Sequence, residues 1–405
     1  MTGRQFSRID PARLRAGSGV KWGSLPADTI GAWVADMDFG IPPVVRDHIV
    51  ETTERGDFGY PFWAGEDPVI AAFRERMATR YHWTPGGGRT RIFADLIQTL
   101  QVMIEHTTAP GDGIAIHVPT YPPFLASIAR SGRRIIPVPM IDDGTGWQFG
   151  TDGLAETLRR QNCRLFVLVN PHNPTGRVFS RAELTHIAEV AGELDLVVLS
   201  DEIHADLTYL PYKHIPFAAL DETVAGRTIT VTSATKAFNI AAMRCAVAHI
   251  GPEDVRARLD DAPLDYFGQP GILSRVATVA AWRRGDSWLD DLMVRLTENR
   301  ALITGWARSL FGEKAFRLPQ ATYLAWFDLA GTPWGARPAG HIEQIAKVKL
   351  SEGSEFSEGT AVDTSSFARL NFATSADNLR EILARISRGP LPCSSRPPVR
   401  GSARR

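Results

Sequence analysis

The feature of this 405-residue sequence that most restricts its fold is a series of short apolar runs, each followed at once by polar residues. The runs lie at 114–118, 165–169, 194–199 and 228–232, and they are rich in Ile, Leu, Val and Thr. Nearly continuous apolar runs of this length are typical of strands that are buried on both faces of a mainly parallel sheet. The sequence therefore predicts a parallel sheet in the middle of the chain.

Helical patterns lie between these runs. Ser180 and Glu183 have the spacing of a capping box, and apolar residues follow them at helical intervals. Alternation of strands and helices predicts an α/β domain whose crossovers are right-handed and whose sheet is flanked by helices. We place this large domain at residues 46–262.

The pattern changes after Pro263, where strands and helices no longer alternate regularly. Two helices, two strands and a final helix are expected at 271–284, 287–310, 322–329, 367–372 and 376–387. They predict a smaller α+β domain over residues 263–388, on which the N-terminal segment 1–45 would pack. Residues 389–405 are rich in Pro, Ser and Arg and have no apolar periodicity, so we expect a disordered tail.

Composition excludes several classes of protein. Lys+Arg 45 balance Asp+Glu 45, whereas a general nucleic-acid binder needs an excess of basic residues. No apolar run approaches the ~18 residues of a membrane span, and the N-terminus lacks the apolar stretch of a secretory signal. Cys163, Cys245 and Cys393 match neither a metal spacing nor a disulfide framework. We therefore expect a cytoplasmic globular protein that binds no nucleic acid, membrane or metal.

Four polar residues stand just after predicted strands, namely Tyr121, Asn173, Asp201 and Lys236. Ligands of open α/β sheets bind beyond the carboxyl ends of the strands, so these residues would bring a ring, an amide, a carboxylate and an amine to one crevice. Each residue also has a simpler interpretation. Tyr121 could pack in the core, Asn173 could form a turn, Asp201 could cap a helix, and Lys236 could be a solvated surface amine. Taken together, the four favour a binding site.

Five short motifs extend this pattern: Asn-Pro-Thr-Gly at 173–176, Ser-Ala-Thr-Lys at 233–236, Trp-Val-Ala-Asp-Met-Asp-Phe at 33–39, Asp-Glu-Ile-His-Ala-Asp at 201–206 and Lys-Ala-Phe-Asn-Ile at 236–240. Over residues 22–371 the chain resembles the fold-type I pyridoxal 5′-phosphate (PLP) enzymes of the aspartate aminotransferase superfamily. The last three motifs resemble the MalY/PatB branch, which contains carbon–sulfur lyases of the cystathionine β-lyase type. The resemblance implies PLP as cofactor, a large domain with a mainly parallel seven-stranded sheet, and a smaller α+β domain.

The resemblance also implies a role for each polar residue at the cofactor ring. Lys236 would link to the cofactor aldehyde and then remove the substrate α-proton. Asp201 would hold the pyridine nitrogen protonated, so that the ring withdraws electrons. Asn173 would donate to the phenolic oxygen, and His204 could assist there. Tyr121 would stack on the ring, with core packing as the alternative; Lys236, Asp201 and Tyr121 are thus the expected catalytic residues.

The cofactor phosphate requires hydrogen-bond donors and positive charge. The residues expected around it are Ser233, Thr235, Leu96, Ile97 and Arg244. The serine and threonine offer hydroxyls, while the leucine and isoleucine begin a predicted helix at 95–106 whose free amides would bind an anion. Many members of the superfamily that this chain resembles carry a phosphate-binding arginine eight residues after the lysine, which implies this role for Arg244. The alternative is a surface arginine, which its apolar neighbours disfavour. Tyr60 resembles a tyrosine that reaches the phosphate of the neighbouring subunit, which implies a homodimer with shared active sites.

The substrate side of the site rests on Arg369, in Arg-Leu-Asn at 369–371. It resembles the arginine that binds the substrate α-carboxylate bidentately, next to Asn173 and Tyr121. A cross-strand ion pair is the alternative for Arg369. Residues 338–366 match no motif, so they leave the other substrate contacts unassigned.

These residues predict a PLP-dependent carbon–sulfur β-lyase. It would cleave cystathionine or a related cysteine S-conjugate to pyruvate, ammonia and a thiol, within methionine biosynthesis. An aminotransferase of class I/II on the same scaffold is the alternative. A PLP-binding regulatory protein is a third interpretation, against which the joint presence of Lys236, Asp201 and Arg369 argues.

Overall fold

The computed structural model of this chain describes residues 4–263, 266–312 and 315–389. The strands in these ranges are β1 (Ile30–Gly31), β2 (Thr90–Phe93), β3 (Gly113–Val118), β4 (Arg134–Asp142), β5 (Trp147–Phe149), β6 (Cys163–Val169), β7 (Val197–Asp201), β8 (Thr228–Thr232), β9 (Ala246–Ile250), β10 (Leu324–Asp328), β11 (Val348–Lys349), β12 (Ser351–Glu352) and β13 (Phe367–Asn371). Eight of them form one sheet in the order β2-β9-β8-β7-β6-β3-β4-β5.

This central sheet is mainly parallel, as expected. β9 is antiparallel to both of its neighbours and β5 is antiparallel to β4, while all other pairs are parallel. Seven strands form the predicted sheet, and the three-residue β5 extends it at one edge as an eighth. Every residue of β3 and β8 is buried, which explains their continuous apolar sequence.

One predicted strand begins later than its apolar run. The run at 194–199 predicts a strand from Leu194, but β7 starts at Val197. The reason is that the preceding helix continues to Glu193, and Leu194 is its C-cap. Asp195 then turns the chain with a φ of 49°.

Helices cover both faces of the sheet. The α-helices are α1 (Arg4–Ser7), α2 (Pro11–Ala16), α3 (Val20–Gly23), α4 (Pro43–Arg55), α5 (Pro68–Tyr81), α6 (Leu96–Thr107), α7 (Pro122–Arg130), α8 (Leu154–Arg160), α9 (Arg181–Glu193), α10 (Glu222–Arg227), α11 (Glu253–Asp260), α12 (Ile272–Arg284), α13 (Asp286–Phe311), α14 (Pro338–Ala346) and α15 (Ala376–Ser387). Short 3-10 helices occupy Ala205–Leu207, Phe217–Ala219, Ala241–Met243 and Gly353–Ser357. The predicted capping box of α9 is confirmed, because Ser180 and Glu183 bond each other's backbone amides.

A three-stranded antiparallel sheet, in the order β10-β13-β12, lies in the C-terminal part of the chain. The N-terminal segment reaches this part through β1, which pairs parallel with β11 and sets Ile30 opposite Val348. Phe6 also packs edge-on against Phe39 and Trp288, at 5.0 and 5.3 Å between ring centroids. The N-terminal segment from Phe6 and the C-terminal elements up to Ile386 therefore share one apolar core.

We propose a division into a large domain at 46–262 and a small domain at 263–388, with the segment 1–45 packed on the latter. The pairing of β1 with β11 supports this assignment of the N-terminal segment. Of the expected disordered tail at 389–405, all but Gly389 lies outside the described residues.

The described residues contain no membrane-spanning helix, disulfide or cluster of metal ligands. None of the helices there has the length and apolar character needed to cross a bilayer. Cys163 and Cys245 are buried free thiols, and Cys393 lies outside the described ranges. Within those ranges the fold brings together no group of three or more potential metal ligands.

Candidate active site at the strand ends

A cavity of about 530 Å³ opens at the carboxyl ends of the central strands. Most of the residues expected from the sequence line it, namely Lys236, Asp201, Asn173, His204, Tyr121, Ser233, Thr235, Arg244, Leu96 and Ile97. Arg369 lies beside the cavity, where its guanidinium donates to Asn173 Oδ1 at 3.0 Å. Tyr60 does not belong to this group, because its side chain is fully exposed to solvent.

The sheet itself brings these side chains together. Asp201 is the last residue of β7, Tyr121 follows the end of β3, and Lys236 follows the end of β8. The three strands are parallel and are joined through β6, so their carboxyl ends lie at the same edge. Separate positions along the chain therefore become neighbours in one crevice.

Asn173 reaches the crevice through a tight turn after β6. Gly176 has a φ of 70°, and a Cβ added there would lie 2.4 Å from the Cβ of Pro319. Both the backbone conformation and the close approach require glycine. Within the turn, His172 Nδ1 lies 2.8 Å from Thr175 Oγ1, which fixes the loop that carries Asn173.

Lys236 is held by the N-terminal segment. Its Nζ donates to the carbonyl oxygen of Ala35 at 2.8 Å, and the hydroxyl of Tyr323 donates to the same oxygen at 2.9 Å. Burial lowers the pKa of Lys236, and the Asp36 carboxylate partly opposes that change. A larger fraction of the amine is therefore neutral near pH 7 than for an exposed lysine.

Asp201 is a buried carboxylate without a cationic partner among the described residues. Burial raises its pKa to about 7, although the N–H of Ile203 donates to Oδ1 at 3.1 Å and stabilises the charge. The nearby Glu202 carboxylate raises the pKa further. A cation placed against Asp201 would stabilise its ionised form.

His204 is buried at the same wall of the cavity. Its Nδ1 has no hydrogen-bond partner in the described part of the chain. Burial lowers the pKa of His204 to about 3, and the charges of Lys236 and Arg369 act in the same direction. The imidazole is therefore neutral, and one of its ring nitrogens is available to a ligand.

Arg369 is a buried guanidinium that pairs with no carboxylate in the described ranges. It donates to Asn173 Oδ1, to the carbonyl of Trp33 at 3.0 Å and to Ser351 Oγ at 3.2 Å, while its Nε has no partner. Burial lowers its pKa to about 10. Its cross-strand neighbours are Trp326 and Ser351, so the alternative of a cross-strand ion pair does not apply.

The far end of the cavity carries the groups expected around a phosphate. The amides of Leu96 and Ile97 begin α6, and neither has a hydrogen-bond partner within the described residues. Ser233 Oγ donates to the carbonyl of Cys245 at 2.6 Å and lies 3.0 Å from Thr235 Oγ1. These donors line one concave surface.

The expectation that Arg244 is buried is wrong. Its apolar neighbours predict a buried arginine, but its side chain is 64% exposed. Arg244 ends a 3-10 helix with a φ of 45°, which directs the side chain outward, and the guanidinium pairs with Asp95. The arginine nevertheless lines the cavity beside α6.

Tyr121 combines both of its expected environments. It lines the cavity, and its ring also packs edge-on against Phe124 at 5.7 Å between centroids. Burial raises the pKa of its hydroxyl, so Tyr121 is protonated at neutral pH.

Four residues of the site were not predicted: Ala35, Trp33, Ser351 and Asp95. The first two lie in the motif at 33–39, so their location was available in the sequence although their contacts were not. Ser351 comes from the stretch 338–366, which matched no motif. Asp95 gave only the signal of a helix N-cap, where it accepts from the N–H of Gln98 at 2.8 Å.

The unpaired groups of the cavity fit PLP together with an amino acid. Asp201 lacks a cation, Arg369 lacks a carboxylate, and the amides of Leu96 and Ile97 lack an anion, within the part of the chain that the structure describes. A protonated pyridine, a substrate carboxylate and a phosphate have the complementary charges. Lys236 lies in the same cavity.

The chain belongs to the class I and II aminotransferase family, whose sequence model matches residues 36–386. It is 33% identical over 372 residues to a cystathionine beta-lyase of Corynebacterium glutamicum, covering 91% of this chain and 95% of that protein. It is 31% identical over 384 residues to the cystathionine beta-lyase PatB of Bacillus subtilis, covering 91% and 96%. Cystalysin from Treponema denticola, whose crystal structure contains PLP, superimposes with a TM-score of 0.87 at 26% identity, covering 96% and 98%. The predicted family, branch and fold class are confirmed.

Proposed function

We propose that this chain is a PLP-dependent carbon–sulfur β-lyase acting on cystathionine or a related cysteine S-conjugate. The observation that carries the proposal is the meeting of Lys236, Asp201 and Arg369 around one cavity, in a chain similar over its length to cystathionine beta-lyases. The cofactor is PLP, as in cystalysin. When bound, it supplies an electron sink for the electrons of the substrate α-carbon.

Asp201 would hold the proton of the pyridine nitrogen. Its buried carboxylate gains a cationic partner there, which offsets the burial that raises its pKa. Asn173 and the neutral His204 line the same cavity and would hydrogen-bond the phenolic oxygen. Tyr121 would stack on the ring face.

Lys236 would bind the cofactor covalently and act as the base at the substrate α-carbon. A base must be unprotonated, and burial lowers the pKa of this amine. The carbonyl of Ala35 accepts from Nζ and so provides a fixed position for the amine when it is free. The residue thus takes the α-proton from a defined position.

Arg369 would bind the substrate α-carboxylate. A buried guanidinium without a counter-charge binds an anion strongly, and its contacts to Asn173, Trp33 and Ser351 fix its plane. The carboxylate then sets which substituent of the α-carbon faces Lys236.

The proposed reaction follows from these positions, and its atoms and charges balance. Lys236 accepts the α-proton, the Cβ–S bond breaks with its electron pair on sulfur, and the thiolate takes up a proton. Water then converts the remaining three-carbon fragment to pyruvate and ammonia. With cystathionine the thiol is homocysteine, which would place the enzyme in methionine biosynthesis.

An aminotransferase on this scaffold is the second candidate, because the matching family is that of class I and II aminotransferases. The test is product analysis with cystathionine in the presence and absence of a keto acid. A lyase releases pyruvate without the acceptor. Product formation that requires the keto acid, with equal transfer of the amino group, would instead establish the aminotransferase.

The matched variants for this test are Lys236→Ala and Lys213→Ala. Lys213 is an exposed lysine that does not line the cavity, so its loss should leave pyruvate release unchanged. Lys236→Ala should lose both pyruvate release and the borohydride-stable link to the cofactor. An equally stable link in Lys236→Ala would assign the covalent role to another residue.

We further propose a homodimer in which Tyr60 reaches the cofactor phosphate of the partner subunit. The support is its environment: Tyr60 is fully exposed, and Phe58 and Phe62 beside it are 55% and 84% exposed. Such a cluster of exposed aromatic residues is typical of an interaction surface. A cytoplasmic location is also our proposal, consistent with the unpaired thiols of Cys163 and Cys245.

A further inference from the structure

The end of the cavity at which the phosphate would bind contains a carboxylate. Asp95 lines the cavity together with Leu96, Ile97 and Arg244. Its Oδ1 accepts from the N–H of Gln98, in the first turn of α6, and its Oδ2 accepts from the Arg244 guanidinium. Asp95 therefore engages one amide in the first turn of the helix and the guanidinium of Arg244, and among the described residues no other arginine lines the cavity.

The charge of the PLP phosphate makes its binding sensitive to the Asp95 carboxylate. A phosphate monoester carries between one and two negative charges at pH 7, because its second pKa lies near 6. Asp95 and Arg244 cancel each other, and the Ser233 hydroxyl donates to Cys245, so the donors left for the phosphate are the neutral amides of Leu96 and Ile97 and the hydroxyl of Thr235. A carboxylate next to that phosphate also repels it directly.

We infer that Asp95 weakens PLP binding by competing with the cofactor phosphate for Arg244 and for the Gln98 amide. The inference rests on the proposed function, since it assumes that PLP occupies this cavity. As a consequence, bound PLP should exchange with free PLP more readily than it would if the Asp95 carboxylate were absent. Asp95 thus lowers the affinity for the cofactor and takes no part in the chemistry at the ring.

A purely structural role for Asp95 is the competing explanation, because the residue caps α6. Asn caps helices as well as Asp does, so Asp95→Asn removes the charge and keeps the cap. Asp221→Asn is the matched control: Asp221 caps α10 in the same way, accepting from the N–H of Val224 at 2.9 Å, and it does not line the cavity. Both variants keep their helix cap and lose one carboxylate, but only Asp95→Asn removes a charge at the cofactor site.

The experiment measures PLP release from the holoenzyme on dilution, by the loss of cofactor absorbance. Asp95→Asn should bind PLP on the order of tenfold more tightly than the unaltered chain, and Asp221→Asn should match the unaltered chain. In about 1 M salt, where the Debye length is about 3 Å, the difference should shrink, because Arg244 and Asp95 are partly exposed.

Phosphorus NMR gives a second readout on the same holoenzymes. A like charge nearby raises the pKa of an acidic group, so the cofactor phosphate should titrate about 1 pH unit lower in Asp95→Asn. Equal or weaker PLP binding in Asp95→Asn, with an unchanged phosphate titration, would overturn the inference. Failure of the unaltered chain to bind PLP would instead overturn the proposed function.

Discussion

Asp201→Asn should stabilise the protein without cofactor while it abolishes the activity. The Asp201 carboxyl is buried, and burial raises its pKa from 3.8 to about 7. At about 1.4 kcal/mol for each pKa unit, keeping this group ionised costs up to about 4 kcal/mol of folding free energy. An amide of the same shape does not ionise, so the variant escapes that cost.

The effect depends on pH in a defined direction. Between pH 3.8 and about 7 the folded protein binds the Asp201 proton and the unfolded chain does not, so the stability of the unaltered protein falls as the pH rises through this range. Asp201→Asn should therefore match the unaltered protein near pH 4 and exceed it by up to about 4 kcal/mol at pH 8. The assay is urea unfolding of the cofactor-free proteins at a fixed protein concentration across this range.

Asp206→Asn is the control for the assay. Asp206 is equally buried, but Arg76 and Arg80 overcome the effect of burial and lower its pKa, so its loss should destabilise the protein. PLP should reverse the advantage of Asp201→Asn, because the ring nitrogen supplies the missing cation. A difference between Asp201→Asn and the unaltered protein that is constant with pH would refute the reasoning.

Two further predictions concern the substrate and the dimer. Arg369→Lys should raise KM for cystathionine by about 10- to 100-fold and leave the cofactor absorbance intact, because an ammonium cannot replace the bidentate contact; steady-state kinetics with an unchanged KM would contradict this. A mixture of the Tyr60→Phe and Lys236→Ala proteins should show more activity than the sum of the two proteins assayed separately, because one site of the mixed dimer has both residues intact. Mixtures that only average their parents would place Tyr60 outside the partner's site.

The strand ends could be predicted because buried parallel strands leave a strong local pattern. The run at 228–232 coincides with β8, and the runs at 114–118 and 165–169 end where β3 and β6 end. The residue that follows each run is then placed by the parallel sheet alone. No long-range contact had to be known to bring Asp201 and Lys236 together.

β4 was not predicted, because its sequence contradicts the usual strand preferences. The nine-residue strand contains Pro137 and Pro139, which lack the N–H of a sheet hydrogen bond. The short β5 pairs only with residues 140–142, so both prolines lie where β4 has a neighbour on one side only. A missing donor is tolerated there, and sequence preference alone does not reveal that position.

Contacts distant in sequence could not be predicted at all. Arg244 and Asp95 are 149 residues apart, and only the packing of α6 against the sheet makes them partners. The apolar residues after Arg244 gave the wrong environment because burial was averaged over neighbours, whereas the left-handed backbone at Arg244 separates its side chain from theirs. Local composition predicts a core, but it does not predict the direction of a single side chain.

The motifs of the sequence are linked by physical contact. Asn239, in the motif of Lys236, accepts from the N–H of Met37 at 3.0 Å and donates to the carbonyl of Phe39 at 2.7 Å. Asn371, in the motif of Arg369, donates to the carbonyls on both sides of Ala35 at 2.6 Å. The segment 33–39 is thus fixed from two directions, and the Ala35 carbonyl that holds the amine of Lys236 is part of it. A change in any one of these three motifs is expected to displace the acceptor of the Lys236 amine, which is a physical reason for the three motifs to occur together.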